Sequence, residues 1–497
     1  MMMIMKQKKR QAIPPKKKRP TRRVMMKRNR ADPAGGESSQ TKALICQQSE
    51  SMMRQILQNC FFLWLLCFSL LPASATARGL VRDAEIELLL RDYSRPLLLA
   101  AGLEPSRIGI SLINDRNLNA FVTNGQNIYV HTGLIIQAKE PNMVIGVLAH
   151  EIGHITGGHL ARGAEAAATA QRPALIATIL GMTSILAGAA DLGMALITGG
   201  QQLAIGNFLS YSRGQEAAAD NTALQLLEAT EQSAEGIIGM MDSLANQEIL
   251  SEVYQDPYAR SHPMSRDRVK AYQNGASASP FRDARDPEER VFRHRMAQAK
   301  IFGFLDSPNT TLRRFRNKDD QPARYARAIA YYRQGLRGKA MGELSSLIAE
   351  MPNNPWLYEL EGQIYHETGL ADKGIAPYEK AIALRPNEPL LLIGLASCLL
   401  SKGAAGGAAN QAVNQKAIDH LRAALRLDPL NGPAYLQMSK GYGQLGEIAL
   451  AQWALAEYYA AGGHPEARRH ARRAIEGLPK GSVEYIRTVD ILSAIER

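Results

Sequence analysis

From about Gln321 onward the sequence returns to one pattern every 34 residues, and that period restricts the second half of the chain to stacked pairs of helices. Pro352 and Pro386 stand 34 residues apart. Pro386 and Pro429 stand 43 apart, one period plus the nine loop-like residues 403–411. The clearest unit carries Gly362, Tyr365, Gly369, Tyr378, Ala381 and Pro386. Ala396, Ala417, Leu421, Ala424 and Pro429 fall in the same register once the insertion is allowed for. Tyr331, Ala340, Leu344 and Pro352 form an earlier unit, and Tyr435, Tyr442, Gly446, Ala451 and Leu455 a later one. Small residues let the two helices of a unit approach each other, and the proline stops the second helix. An array of this kind binds but carries no chemistry, so any reaction belongs to the part before it.

That part reads differently. Residues 79–104 predict an amphipathic helix with Leu88, Leu89 and Leu90 in its apolar face. Short strand-like runs at 108–112, 121–122 and 128–130 follow, the last two joined by an Asn124-Gly125 turn. A strongly apolar helix is expected over 144–160. The expected fold is mainly α: an α+β first domain with a small β-sheet, then an α-solenoid. The expected divisions are 1–77, a basic extension and export signal; 78–275, the catalytic domain; 276–320, a linker with a bridging helix; and 321–497, the repeats.

The formal net charge of +12 suggests a nucleic-acid binder until it is located. Residues 1–77 hold 15 Lys/Arg and 3 Asp/Glu, so the rest of the chain has 44 of each and is neutral. A phosphate-backbone partner is excluded on charge. Within the leader, Met53-Arg54 precede an apolar run over 60–71, and Ala75-Thr76-Ala77 fits a small-x-small cleavage site. The basic tract over 6–30 is either an extended signal or sequence ahead of a true start near Met52 or Met53. Cys46, Cys60 and Cys67 lie in the leader, which leaves Cys398 alone, apolar in context and without a disulfide partner.

The chemistry lies in His150-Glu151-Ile152-Gly153-His154. On a helix, positions i and i+4 are about 40° apart, so both imidazoles face one metal ion. Glu151, about 100° from His150, reaches a water on that metal without ligating it and serves as general base. One zinc ion per chain is the expected cofactor. His159 is the tempting third ligand, but on a continuous helix it lies about 180° from His150, which leaves it a structural or capping role. A better ligand is Glu216, on a second expected helix. Asp220, four residues on, can fix a ligating histidine through its outer nitrogen.

The segment Asn119-Ala120-Phe121 with Tyr129-Val130, the motif His150–His154, the pair Glu216/Asp220, and Ser261-His262-Pro263 with Arg268 together resemble the HtpX-like, CAAX-prenyl-protease clan of gluzincins. The repeats resemble tetratricopeptide arrays, whose concave faces bind protein segments. With the export signal added, nearly the whole mature chain resembles the periplasmic β-barrel assembly-enhancing proteases. The resemblance implies zinc ligation by His150, His154 and Glu216, with Glu151 as base; the edge of the hairpin over Asn119–Val130, with Asn119, Ala120 and Phe121, is expected to receive substrate as an added strand. The resemblance places His262 and Arg268 beside the metal. There the pair can stabilise an oxyanion, or His262 can fill the fourth metal position and hold the enzyme latent.

The implied function is degradation of misfolded or stalled outer-membrane and periplasmic proteins, with client handling by the repeats. The implied partners are such clients and the outer-membrane assembly machinery. An assembly factor with secondary proteolysis is the alternative. Residues 174–209, apolar but studded with glycine, read as a lid over the cleft, with peripheral membrane contact as the second reading. An integral prenyl-protein protease lacks a convincing set of spanning helices.

Overall fold

The computed structural model describes residues 3–4, 79–123, 126–159, 190–248, 262, 266–404 and 408–496, with isolated residues between 175 and 182. The leader readings, the Asn124-Gly125 turn, Ser261, Pro263 and most of 174–189 fall outside the described residues.

A small mixed sheet comes first. It holds β1 (Leu80–Arg82), β2 (Gly109–Ile113), β3 (Ala120–Thr123) and β4 (Asn127–His131). β1 pairs antiparallel with β2, β2 parallel with β4, and β4 antiparallel with β3; Met3–Ile4 pairs beside β1. Leu112, Ala120, Ile128 and Val130 fill one face and are fully buried. β3 is therefore an end strand of the sheet.

Against the sheet lie α1 (Ala84–Ala100), α2 (Thr132–Gln137) and α3 (Pro141–Thr156). The helix expected over 79–104 is broken at its start, because Asp83 is extended and caps α1 by accepting the Ile86 N–H at 3.0 Å. Next come α4 (Ala190–Ala229), α5 (Glu235–Glu248), α6 (Arg266–Ala278), α7 (Glu288–Leu305) and α8 (Pro308–Arg314). From Ala190 the stretch read as a lid is the first half of α4, the 40-residue helix that also carries Glu216. No described helix is long and apolar enough to cross a membrane.

The remainder is helix pairs: α9 (Gln321–Arg333) with α10 (Arg337–Glu350), α11 (Pro355–Glu367) with α12 (Ala371–Leu384), and α13 (Pro389–Gly403) with α14 (Ala408–Leu427). Then come α15 (Gly432–Leu445) with α16 (Ile448–Ala461), and α17 (Glu466–Ile475) with α18 (Val483–Glu496). Pro352, Pro386 and Pro429 each stand two residues beyond the second helix of a pair, which is why they mark the period. A second set of prolines opens the first helices, where a missing N–H costs nothing: Pro322, Pro355, Pro389 and Pro433. The ring of Tyr378 fits between Gly362 and Gly394, where any Cβ would come within 2.5 Å of it.

One apolar core runs from Val81 through α1, α3 and α7 to Leu344, Leu357 and Ile364 of the first repeats. A second takes in Ala84 of α1 and runs from Trp356 to Leu478. The bridging helix α7 ties them together, because buried Lys300 reaches Asp83, Glu85 and Glu359. The first repeats are thus packed into the same interior as the catalytic half.

Candidate metal centre

Helix α3 begins at Pro141 and buries His150, Glu151 and Gly153 against α4. Gly153 is what permits the approach: a Cβ there would stand 2.7 Å from the Ala219 carbonyl oxygen of α4. The second helix thereby brings Glu216 and Asp220, one turn apart, beneath the two histidines.

Four ligand-type side chains converge. His154 Nε2 lies 3.1 Å from His150 Nε2. Glu216 Oε2 is 3.4 Å from His150 Nε2, and its Oε1 is 3.4 Å from His154 Nε2. His262 Nδ1 is 3.2 Å from both His150 Nε2 and Glu216 Oε2. All four groups offer ligand atoms within 4.8 Å of one another. A tetrahedral zinc site with bonds of about 2.1 Å has ligand–ligand edges of about 3.4 Å, so the spacing and the donor set both fit zinc.

The outer contacts orient these groups. His150 Nδ1 stands 2.9 Å from Asp220 Oδ1, a contact that orients the ring with Nε2 facing inward. Arg268 on α6 grips Asp220 with Nε at 2.6 Å and Nη2 at 2.8 Å, and reaches Glu216 Oε2 with Nη1 at 2.9 Å. Its guanidinium is committed to the two carboxylates. Burial would raise Glu216, yet hydrogen bonds from His150, His154 and His262 hold it ionised, well below the usual carboxylate range. Burial opposes charge on His150 as well, but Asp220 and Glu216 carry it up to about 9.

Glu151 is 1% exposed and its Oε1 lies 3.4 Å from His262 Nε2. Burial pushes its carboxyl up to about 7, against the pull of His150 and His154. The Val122 backbone of β3 hydrogen-bonds to it, so the end strand passes directly beside Glu151. Of the three substrate-contact candidates, Ala120 is fully buried, Asn119 is 7% exposed and Phe121 is half-buried, stacked on Tyr129 at 5.5 Å.

His159 is placed where a straight helix would not put it. α3 ends at Thr156, Gly158 takes a left-handed φ of 60°, and the chain turns back. His159 Nδ1 then lies 3.0 Å from His154 Nδ1, the nitrogen that points away from the cluster. It is a neighbour of a ligand-type group, a relation the sequence signals only through Gly157-Gly158.

Residues 83–275 match Peptidase family M48. The chain is 25% identical over 298 residues to the Beta-barrel assembly-enhancing protease of Yersinia pestis, a match covering 58% of this chain and 59% of that one. It is 26% identical over 341 residues to the Beta-barrel assembly-enhancing protease of Escherichia coli (strain K12), covering 67% and 68%. The chain therefore spans less than two thirds of the Yersinia relative it matches. Among solved structures, the human IFIT1 dimer with PPP-AAAA aligns with 66% of this chain and 83% of that one at 13% identity, with a TM-score of 0.29. Residues 83–275 are a metallopeptidase domain of Peptidase family M48, set in a chain similar to the beta-barrel assembly-enhancing proteases.

Proposed function

We propose that this chain is a periplasmic zinc endopeptidase that degrades misfolded or stalled outer-membrane proteins, with the repeats handling clients. The observation that carries the reading is the buried set His150, His154, Glu216 and His262, spaced as a tetrahedral zinc site requires. The relatives' name supports the outer-membrane clients. The proposed units are 78–275 for catalysis, 276–320 for bridging and 321–497 for recruitment, exported by the N-terminal signal.

His150, His154 and Glu216 hold the zinc, which when bound polarises a carbonyl and acidifies water. Glu151, raised toward neutrality, accepts the proton of the attacking water and returns it to the departing amine. Asp220 fixes the tautomer of His150, and Arg268 holds Asp220 and Glu216 in register. With its guanidinium so engaged, Arg268 positions ligands. His262, against both His150 and Glu216, would fill a fourth ligand position and hold the enzyme latent. That closure also favours the second reading, an assembly factor for barrel proteins with secondary proteolysis.

Substrate adds as a strand along β3, whose outer edge no other described strand pairs and whose Val122 borders Glu151. Backbone pairing there explains a preference for unfolded chains with weak side-chain specificity.

Two substitutions test the assignment. Glu151→Gln should cut casein hydrolysis by about a thousandfold or more while zinc content is unchanged, because a base is lost and no ligand is removed. Glu216→Gln should lose zinc. Full zinc occupancy in Glu216→Gln, or undiminished hydrolysis by Glu151→Gln, would overturn it.

A further inference from the structure

A groove of about 280 Å³ lies among four helices of the last repeats, far along the chain from the metal centre. Its wall is apolar: Met438 and Tyr435 of α15, Trp453 of α16 and Leu425 of α14. At its rim Val483 of α18 is 68% exposed, and Ile486 on the same helix is 53% exposed. The charge around this apolar floor is one-sided. Arg422, Arg426 and Arg487 line the groove against a single acid, Glu484.

Two of these arginines are held in place. Arg487 donates to Glu457 at 2.5 and 3.0 Å and to the Tyr435 hydroxyl at 2.8 Å, with its guanidinium over the Tyr435 ring. Glu457 neutralises it, so its part is to fix the wall. Arg422 donates Nη2 to the Tyr442 hydroxyl at 3.1 Å, and its Nη1 stands 4.0 Å from Asp419 Oδ1 in a loose, exposed pair that an incoming carboxylate can replace. Arg426 is exposed on the next turn of α14 and forms no ion pair among the described residues. The outcome is a pair of cations one turn apart beside an aromatic and aliphatic slot.

We propose that this groove docks an extended protein segment in which acidic side chains alternate with apolar ones. The carboxylates meet Arg422 and Arg426, and an apolar side chain enters between Leu425, Met438 and Trp453. The volume suits one or two side chains of a segment that continues beyond the groove, and is small for a whole drug-sized ligand. Charge complementarity selects acidic over basic segments, and the fixed Tyr435–Arg487 wall costs little ordering on binding. The inference rests on the reading that the repeats receive protein segments and is independent of the zinc chemistry.

The test is fluorescence anisotropy with an amidated, labelled peptide of alternating Glu and Phe, added to the full chain carrying Glu151→Gln so that cleavage does not enter. The control is the same peptide with Lys for Glu. The acidic peptide should bind at least about tenfold tighter. Arg422→Glu with Arg426→Glu should weaken it by about tenfold and reverse the preference. Val483→Glu, at an exposed position that leaves the core untouched, should weaken the acidic peptide in the same direction. Equal binding of the two peptides would overturn the proposal. So would unchanged acidic binding by the double variant with a native circular-dichroism spectrum, or a wild-type dimer in sedimentation that the double variant dissociates, since a second copy would then be the occupant.

Discussion

Lys300 and His150 each sit at the centre of a buried cluster of charge, and the two clusters are balanced in opposite ways. Lys300 is 2% exposed, and its ammonium lies 2.9 Å from Asp83, 3.2 Å from Glu85 and 3.2 Å from Glu359. The cation is part of the chain, and the carboxylates adjust to it. Burial would raise Asp83, but Lys300 holds it low, whereas burial prevails at Glu85 and pushes it up. The Tyr325 hydroxyl of α9 donates to that Glu85 carboxyl at 3.1 Å.

Around His150 the arrangement is turned inside out. The fixed cation, Arg268, stands outside the ring of ligand groups, and ring nitrogens of three imidazoles and the oxygens of a carboxylate converge at 3.1–3.4 Å. Such a cluster is costly alone and becomes favourable when an ion from solution fills it. A buried cluster that carries its own ammonium is a joint; one that gathers ligand-type atoms around a common centre is a binding site.

Replacing the built-in cation gives the largest effect on folding. Lys300→Met leaves three carboxylates buried together and should cost about 3–5 kcal/mol in denaturant unfolding. Added zinc should not recover it. A loss below 1 kcal/mol, or recovery by zinc, would erase the distinction between the two clusters. Because α7, α9 and α11 share this joint and the core around it, removing 321–497 would also open the catalytic half. Surface substitutions in the last repeats are therefore the cleaner probe of recruitment.

Arg268→Leu comes next in size. It should weaken zinc binding by about ten- to a hundredfold in competition with a chromogenic chelator, because Asp220 and Glu216 lose their common anchor. Unchanged affinity would return Arg268 to a direct role in the reaction. His159→Leu is the smallest. Loss of the contact with His154 Nδ1 should weaken zinc by about tenfold, and His159→Asn, whose amide restores a polar partner, should recover most of it. Equal affinities in all three proteins would show that His159 only closes the turn.

How far each cluster could be read in the sequence follows from how its residues are spaced. His150, Glu151 and His154 fall within two turns of one helix, and Glu216 with Asp220 within one turn of another, so helical geometry alone brings each set onto one face. The repeat period was legible for the same reason, since prolines and small residues recur at fixed intervals. The return of His159 was hidden because the apolar pattern runs past Thr156 while the backbone turns at Gly157-Gly158. Strand β1 was lost within an apparently continuous helix because three residues carry too little periodicity to oppose it. Nothing local marks the Lys300 joint: Asp83 at the cap of α1, Glu85 on α1, Lys300 on α7 and Glu359 on α11 are brought together only by tertiary packing, in stretches where each charge looks like a solvated face.

The most direct test of the account is hydrolysis of unfolded casein by the full chain, followed through chelation and zinc return on one preparation. Chelation should remove the activity along with the metal, and one equivalent of zinc per chain should restore it, with the helical content unchanged throughout because the Lys300 joint needs no ion. Casein cleavage that persists after the metal has been stripped would contradict the account.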